Sequence, residues 1–281
     1  MGKNVMTTAR WGAIFAGLTI FVTASAACDT GGSTDDDMFT GGGGATDDGG
    51  GNDDGSGTGG DDANADGSGG EEPEDQVTIE PANMVDDLED GDDVITDSGG
   101  RVGAWFTYND ESAGGTQTPT GEFTPAQGGA GGSAFSASMS GSGFSEWGAG
   151  MGFDLNNPGD DSGGAGVKNP WDASGFTGVA FRARGNVPVR VALVTQAIVS
   201  EEFGGNCTPS EEEGMMCDDA HGQTFALNDT WTQYVVPFSS AQQGGWGLPA
   251  DFDPATMTSI QFDVGADLDF EIYIDDIGFY Q

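Results

Sequence analysis

Apolar and polar positions alternate with a period of two through much of the chain beyond residue 77. Over 178–184, Val179, Phe181 and Ala183 fall on one side and Arg182 and Arg184 on the other, the pattern of a strand with one buried face. The next run, 187–194, is interrupted only by Pro188, Arg190 and Ala192. A third, 231–238, reads as a strand that Pro237 places at an edge or an end. Runs 259–264 and 270–279 form a last pair joined by the turn-like Gly265-Ala266-Asp267. Gly, Asp, Asn and Ser punctuate the chain about every ten residues, and helical periodicity is hard to find. About 200 residues of this kind suit one antiparallel β-sandwich or barrel, so the predicted class is all-β.

The N-terminus has a different pattern. Lys3 and Arg10 precede an apolar run over 11–24, and small residues Ser25, Ala26 and Ala27 lead to Cys28. This is the order of a secretory signal. The run is shorter than the roughly 20 residues a membrane-spanning helix needs. Ser25-Ala26-Ala27-Cys28 resembles a bacterial lipobox, whose cysteine is acylated and becomes the mature N-terminus; the usual Leu is replaced by Ser25. Cleavage at Ala24-Ser25-Ala26 without acylation is the other reading. The lipobox reading predicts an exported lipoprotein, held at the bacterial membrane by the lipid alone and facing the periplasm or the exterior.

Composition divides the rest. Residues 29–76 hold 16 Gly and 15 Asp or Glu, and Phe39 is their one aromatic. Such a segment cannot bury enough apolar surface to offset its chain entropy. The expected organisation is a signal over 1–28, a disordered acidic linker over 29–80, and one domain over 81–281. Beyond residue 76 the chain carries 32 Asp or Glu against five Lys or Arg. That balance argues against nucleic acid as a partner, because phosphate binding needs a basic surface.

Three cysteines are present. Cys207 and Cys217 lie close together in an acidic, Gly-rich stretch and are expected to form a disulfide in an exported domain. A metal pair with His221 lacks a fourth good ligand, and a catalytic thiol has only His221 as a base. Cys28 is left over, and acylation accounts for it.

Three stretches together resemble the galactose-binding-like jelly rolls, and within them the carbohydrate-binding modules that include the β-glucan binder of bacterial cellulases. They are Leu88-Glu89-Asp90-Gly91-Asp92, Trp231-Thr232-Gln233-Tyr234-Val235-Val236-Pro237-Phe238, and Ile272-Tyr273-Ile274-Asp275-Asp276-Ile277-Gly278-Phe279. The resemblance implies a two-sheet antiparallel jelly roll whose first and last strands are neighbours. It also implies a structural calcium at Glu89 or Asp90 together with Asp275; solvated strand-end charges are the alternative. Calcium takes oxygen ligands from separate loops, so few carboxylates suffice.

Sugar recognition needs a flat apolar surface for the C–H side of a ring and planar polar groups for its hydroxyls. The candidates are Trp105, Tyr108 and Asp110 on one mixed strand, Trp147, Trp171, and Asp218, Asp219 and His221 beside the cysteines. Trp246 in a Gly-rich loop completes them. Any of these tryptophans is equally suited to fill a core. Arg182 and Arg184 either line a binding face or pair with acidic neighbours. The leading function is a non-catalytic polysaccharide-binding lipoprotein, acting as a monomer. A structural or adhesive surface protein with a protein partner is the second, and a glycan-active enzyme the third, since no motif selects a carboxylate pair.

Overall fold

The computed structural model describes residues 76–159, 166–210 and 216–281. The N-terminal apolar run, Cys28 and the Gly/Asp-rich segment as far as residue 75 lie outside them. The described residues form β1 (Met84–Asp86), β2 (Trp105–Asn109), β3 (Thr116–Thr118), β4 (Ala126–Gln127), β5 (Phe135–Ser142) and β6 (Ala149–Asp154). After these come β7 (Gly178–Gly185), β8 (Pro188–Thr195), β9 (His221–Ala226), β10 (Thr232–Pro237), β11 (Met257–Val264) and β12 (Phe270–Tyr280). Short 3-10 turns are the remaining regular elements, and every strand pairing is antiparallel.

Two sheets result. One runs β10-β7-β12-β5-β3, with β1 also on β12 and β4 also on β5; the other runs β2-β6-β11-β8-β9. The first strand pairs with the last, as the jelly-roll resemblance implied. β10 is an edge strand ending at Pro237, where its missing N–H costs no ladder bond. One expectation is corrected: β11 and β12 do not pair. They lie in opposite sheets, as do β7 and β8. Both members of each couple bury an apolar face, so the short connection between them crosses the sandwich instead of closing a hairpin.

The alternation seen in the sequence sorts the two faces. Val179, Phe181 and Ala183 point inward and are buried, while Arg182 and Arg184 are half-exposed on the outer side. Trp105 sits at the centre of the core, 3% exposed, stacked on Phe123 at 5.1 Å and edge-on to Phe153 at 4.8 Å. Its indole Nε1 donates to Asp86 Oδ2 at 2.7 Å, and Asp86 Oδ1 accepts from the Leu88 N–H at 2.8 Å. Asp86 belongs to the seven-stranded sheet and Trp105 to the five-stranded one, so this buried carboxylate pins the sheets together.

Burial pushes the Asp86 carboxyl up to about 6 from 3.8, against the two hydrogen bonds that favour its charge. The folded state therefore holds this proton more tightly than the unfolded chain. The resulting stability is complete below about 3.8 and is lost as pH rises through about 6. Asp263, also raised to about 6, acts in the same direction. The melting temperature is expected to rise as pH is lowered from about 7 to about 5, and Asp86→Asn is expected to flatten part of that rise. Because an amide offers one acceptor to two buried donors, the same variant should lose about 1–3 kcal/mol at neutral pH, read from the urea midpoint. A variant that melts like the parent at every pH contradicts the pin.

Candidate functional site

The outer face of the five-stranded sheet is built in rows, because residues opposed across antiparallel strands share a side. One row runs Tyr108, Gly150, Asp263, Arg190, Thr224 from β2 to β9; the next runs Phe106, Gly152, Gln261, Ala192, Gly222. Asp154 and Ser259 begin a third. The opposite phase of the same strands carries Trp105, Phe153, Ile260 and Leu193 into the core.

Glycine shapes this face. A Cβ at Gly150 would lie 2.3 Å from Tyr108 Cζ, and one at Gly152 would lie 2.9 Å from Gln261 Cγ. The missing Cβ at Gly150 lets the Tyr108 ring lie across β6, where its hydroxyl donates to Asp263 Oδ1. Both groups are half-buried by surface. Low-dielectric walls surround them nonetheless, so burial is the main cause that raises each pKa, Tyr108 well above its usual value and Asp263 to about 6. The negative charge of Asp263 pushes Tyr108 further up, and the hydrogen bond from Tyr108 and the Arg190 charge partly restrain Asp263.

Two banks flank the rows. On the β2 side, Trp147 stands 6.0 Å from Tyr108, tilted by 32°. On the other side, Ala192 and Val194 on the outside of β8 are covered by Ile198, Val199 and Ala220, with Phe203 and Ala250 against them. The Cys207–Cys217 disulfide closes this covering loop. Arg190 Nη2 donates to the carbonyls of Ala220 and Gln242, both at 2.8 Å, and so ties the bank to the sheet. Asp218 is solvent-exposed, yet burial by its surroundings raises its pKa, with Lys168 opposing. Its charge is also felt by Tyr108. The outer face between these two banks forms a trough.

The floor of that trough is polar. Lys168 Nζ lies 3.0 Å from Asp154 Oδ1, 3.4 Å from Ser259 Oγ and 4.9 Å above the Phe106 ring. Two depressions elsewhere are separate from it. One of about 420 Å³ is lined by Gly91, Asp92, Phe123 and Pro125, and one of about 360 Å³ by Arg184, Asn186, Leu227 and Tyr273.

The predicted ligand residues divide. Tyr108 is in the trough, Asp110 holds the Trp147 loop through Glu146, Trp147 and Gly148 N–H bonds, and Trp246 is 57% exposed on the far bank. Trp105 is a core residue with no face left for a ligand. Arg182 and Arg184 are on the outer side of the other sheet, beside acidic and aromatic neighbours. Arg182 Nε lies 3.4 Å from Asp276 Oδ2, and Arg184 stacks 4.0 Å from the Tyr273 centroid and 5.3 Å from that of Trp231. His221 opposes Leu193, so it faces inward, 5.4 Å from Phe252, and burial lowers its pKa. Trp171 packs on Phe176 and Phe279.

Sequence reasoning missed Gln261, Asp263, Arg190, Lys168 and Asp154. The signal was present in β11, where Ser259, Gln261 and Asp263 alternate with Ile260, Phe262 and Val264. A polar phase of this kind is indistinguishable from an ordinary solvated face until the neighbouring strands are known.

The carboxylates expected to hold calcium have protein partners. Asp275 is buried; its Oδ2 accepts from Ala130 N and Ser133 Oγ, both at 2.7 Å, and its Oδ1 from Asp276 N at 2.8 Å. Glu89 Oε1 accepts from Ala134 N at 2.7 Å and Phe135 N at 3.0 Å, so Glu89 and Asp275 grip the same segment, 130–135. Asp90 is exposed and accepts from Asp92 N at 3.3 Å. Among the described residues no three Asp, Glu, His or Cys side chains form a metal-holding group.

The sequence matches no family model and no curated protein. Similar solved structures include the family 11 carbohydrate-binding module of the cellulosomal cellulase Lic26A-Cel5E of Clostridium thermocellum. That similarity is at 15% identity and a TM-score of 0.45, covering 73% of this chain and 95% of that one. A family 11 module from Clostridium thermocellum in complex with a β-1,3-1,4-mixed-linked tetrasaccharide is similar at 14% identity and a TM-score of 0.42, covering 68% and 95%. The family 30 module of the cellulosomal cellulase Cel9D-Cel44B of Clostridium thermocellum is similar at 13% identity and a TM-score of 0.40, covering 63% and 91%.

Proposed function

We propose that this chain is a non-catalytic polysaccharide-binding module, displayed outside the cytoplasm on a lipid attached to Cys28. The observation that supports it most is the outer face of the five-stranded sheet, where aromatic rings stand beside planar polar groups in an open trough. A pyranose ring has an apolar C–H side and a rim of hydroxyls. Tyr108 and Trp147 suit the first, and Gln261 and Asp263 suit the second, above the largely buried Lys168–Asp154 pair.

Thiol and imidazole chemistry finds no support at this face. Cys207 and Cys217 are joined to each other, which removes both as nucleophiles. The His221 imidazole is turned toward Phe252 instead of the trough. The strongly acidic composition disfavours nucleic acid. One copy supplies the whole trough, so the reading needs no oligomer.

A glycan array probed with the mature chain is expected to show retention of a polysaccharide with a change in tryptophan fluorescence. Trp147→Ala should weaken that binding about threefold to tenfold with unchanged melting temperature. Absence of binding across plant, bacterial and host glycans would overturn the reading and favour a protein partner for this face. For the anchor, labelled fatty acid should enter the parent and not Cys28→Ala, which should leave the membrane fraction; equal membrane retention of the variant contradicts acylation. A structural calcium is a separable part of the proposal. If it is present, chelation should lower the melting temperature by about 5 °C or more at saturating metal, and an unchanged midpoint removes it.

A further inference from the structure

Two loops of the trough share an unusual construction. Among the described residues the exposed large apolar side chains include two aromatics, Trp147 at 46% and Trp246 at 57%. Each is carried by a short loop whose backbone wraps one carboxylate. Asp110 Oδ2 accepts from the N–H groups of Glu146 at 2.9 Å, Trp147 at 3.0 Å and Gly148 at 2.9 Å. Asp219, 2% exposed, accepts from Gly244 at 2.7 Å through Oδ1, and from Gly245 at 2.7 Å, Trp246 at 3.0 Å and Gly247 at 3.1 Å through Oδ2.

Charge-assisted hydrogen bonds of this number hold a loop in one shape. Glycine makes the wrapping possible. Gly148 has φ +111 and Gly245 φ +85, and a Cβ at Gly247 would lie 2.5 Å from Asp219 Cβ. Burial alone would raise Asp110, but bonds from Ser112, Gly148 and Glu146 outweigh it and hold the carboxyl at about 2. Its cage stays charged at any ordinary pH.

The loops stand at opposite sides of the same face. Trp147 is beside Tyr108 on β2. Gln242, which opens the Trp246 loop, bridges Gly222 of β9 at the far edge and receives Arg190 from the trough. Trp147 leads into β6, with Gly148 against Val264 of β11; three steps separate β6 from β9, about 14 Å at the usual strand spacing. No single sugar ring reaches across that width.

We propose that Trp147 and Trp246 are the two end platforms of one glycan chain lying across the strands, and that Asp110 and Asp219 are the positioning residues that lock them. This rests on the polysaccharide reading above. Preorganised aromatics lose little entropy on binding, which is the advantage of caging an exposed indole instead of leaving it on a loose loop. The ligand class is therefore an extended glycan of several units, recognised at both ends of the trough.

The test uses the mature chain and a size series of β-linked glucose oligosaccharides, from disaccharide to octasaccharide, measured by calorimetry. Affinity should rise with length until the chain spans both banks. Trp246→Ala should weaken the long members about threefold to tenfold and leave the short ones that bind beside Trp147 unchanged. Asp219→Ala should reproduce the Trp246→Ala length profile, and the double variant should be no weaker than either single one. Asp219→Asn, which keeps one acceptor oxygen, should recover part of the long-chain affinity. If Asp219→Ala fails to fold, the exposed Trp246→Ala still decides the matter. Long-chain binding untouched by Trp246→Ala, or an additive double variant, overturns the inference while loss through Trp147→Ala leaves the polysaccharide reading standing. A parent chain that binds no member of the series and no arrayed glycan overturns both.

Discussion

Backbone N–H groups in irregular segments need acceptors, and where this fold's loops have no carbonyl to meet that need, carboxylates often supply it. With strands and short 3-10 turns as its regular elements among the described residues, the domain carries long connections whose donors have no ladder to join. Asp86, Glu89, Asp110, Asp219 and Asp275 each accept from one or more backbone N–H groups of a loop. Several of these acids are buried or engaged by multiple donors. The acidity of the domain is therefore partly structural, and neutralising these positions removes acceptors as well as charge.

This device connects the core to the surface. Asp86 orients the entry strand against Trp105 in the core. Glu89 and Asp275 hold segment 130–135 over the seven-stranded sheet. Asp110 and Asp219 do the same work at the rim, where the held loops carry indoles instead of covering apolar surface. The glycine content serves the same end, since a backbone can wrap a carboxylate only where no Cβ intervenes. Gly150 applies the rule within a strand, letting Tyr108 lie over β6 to reach Asp263.

The strand phases of 178–184, 259–264 and 270–279 were legible because period two leaves a clear record in the order of residues. Trp246 was legible as exposed for a local reason too, its flanking glycines. The disulfide followed from cysteine count and spacing, and the neighbouring first and last strands from the jelly-roll resemblance. The site was legible only in part. Trp105 and Tyr108 are three residues apart on one strand, and opposite phases send one into the core and the other into the trough. Arg182 and Arg184 show the converse: alternation gives their outward phase, but not that their sheet is the one without Tyr108.

What the sequence by itself determined is local: which side of each strand is apolar, where the chain turns, and which segments cannot build a core. Those properties depend on neighbours one to four positions away. Only the tertiary structure decided which strands share a sheet, and hence that Tyr108, Asp263 and Arg190 form one row although 82 and 73 positions separate Arg190 from Tyr108 and Asp263. Alternation is the same for every half-buried strand, so it says that a face is outward without saying which other outward faces lie beside it. Pairing is chosen by the packing of the whole sandwich, and the functional face exists only once that choice is made.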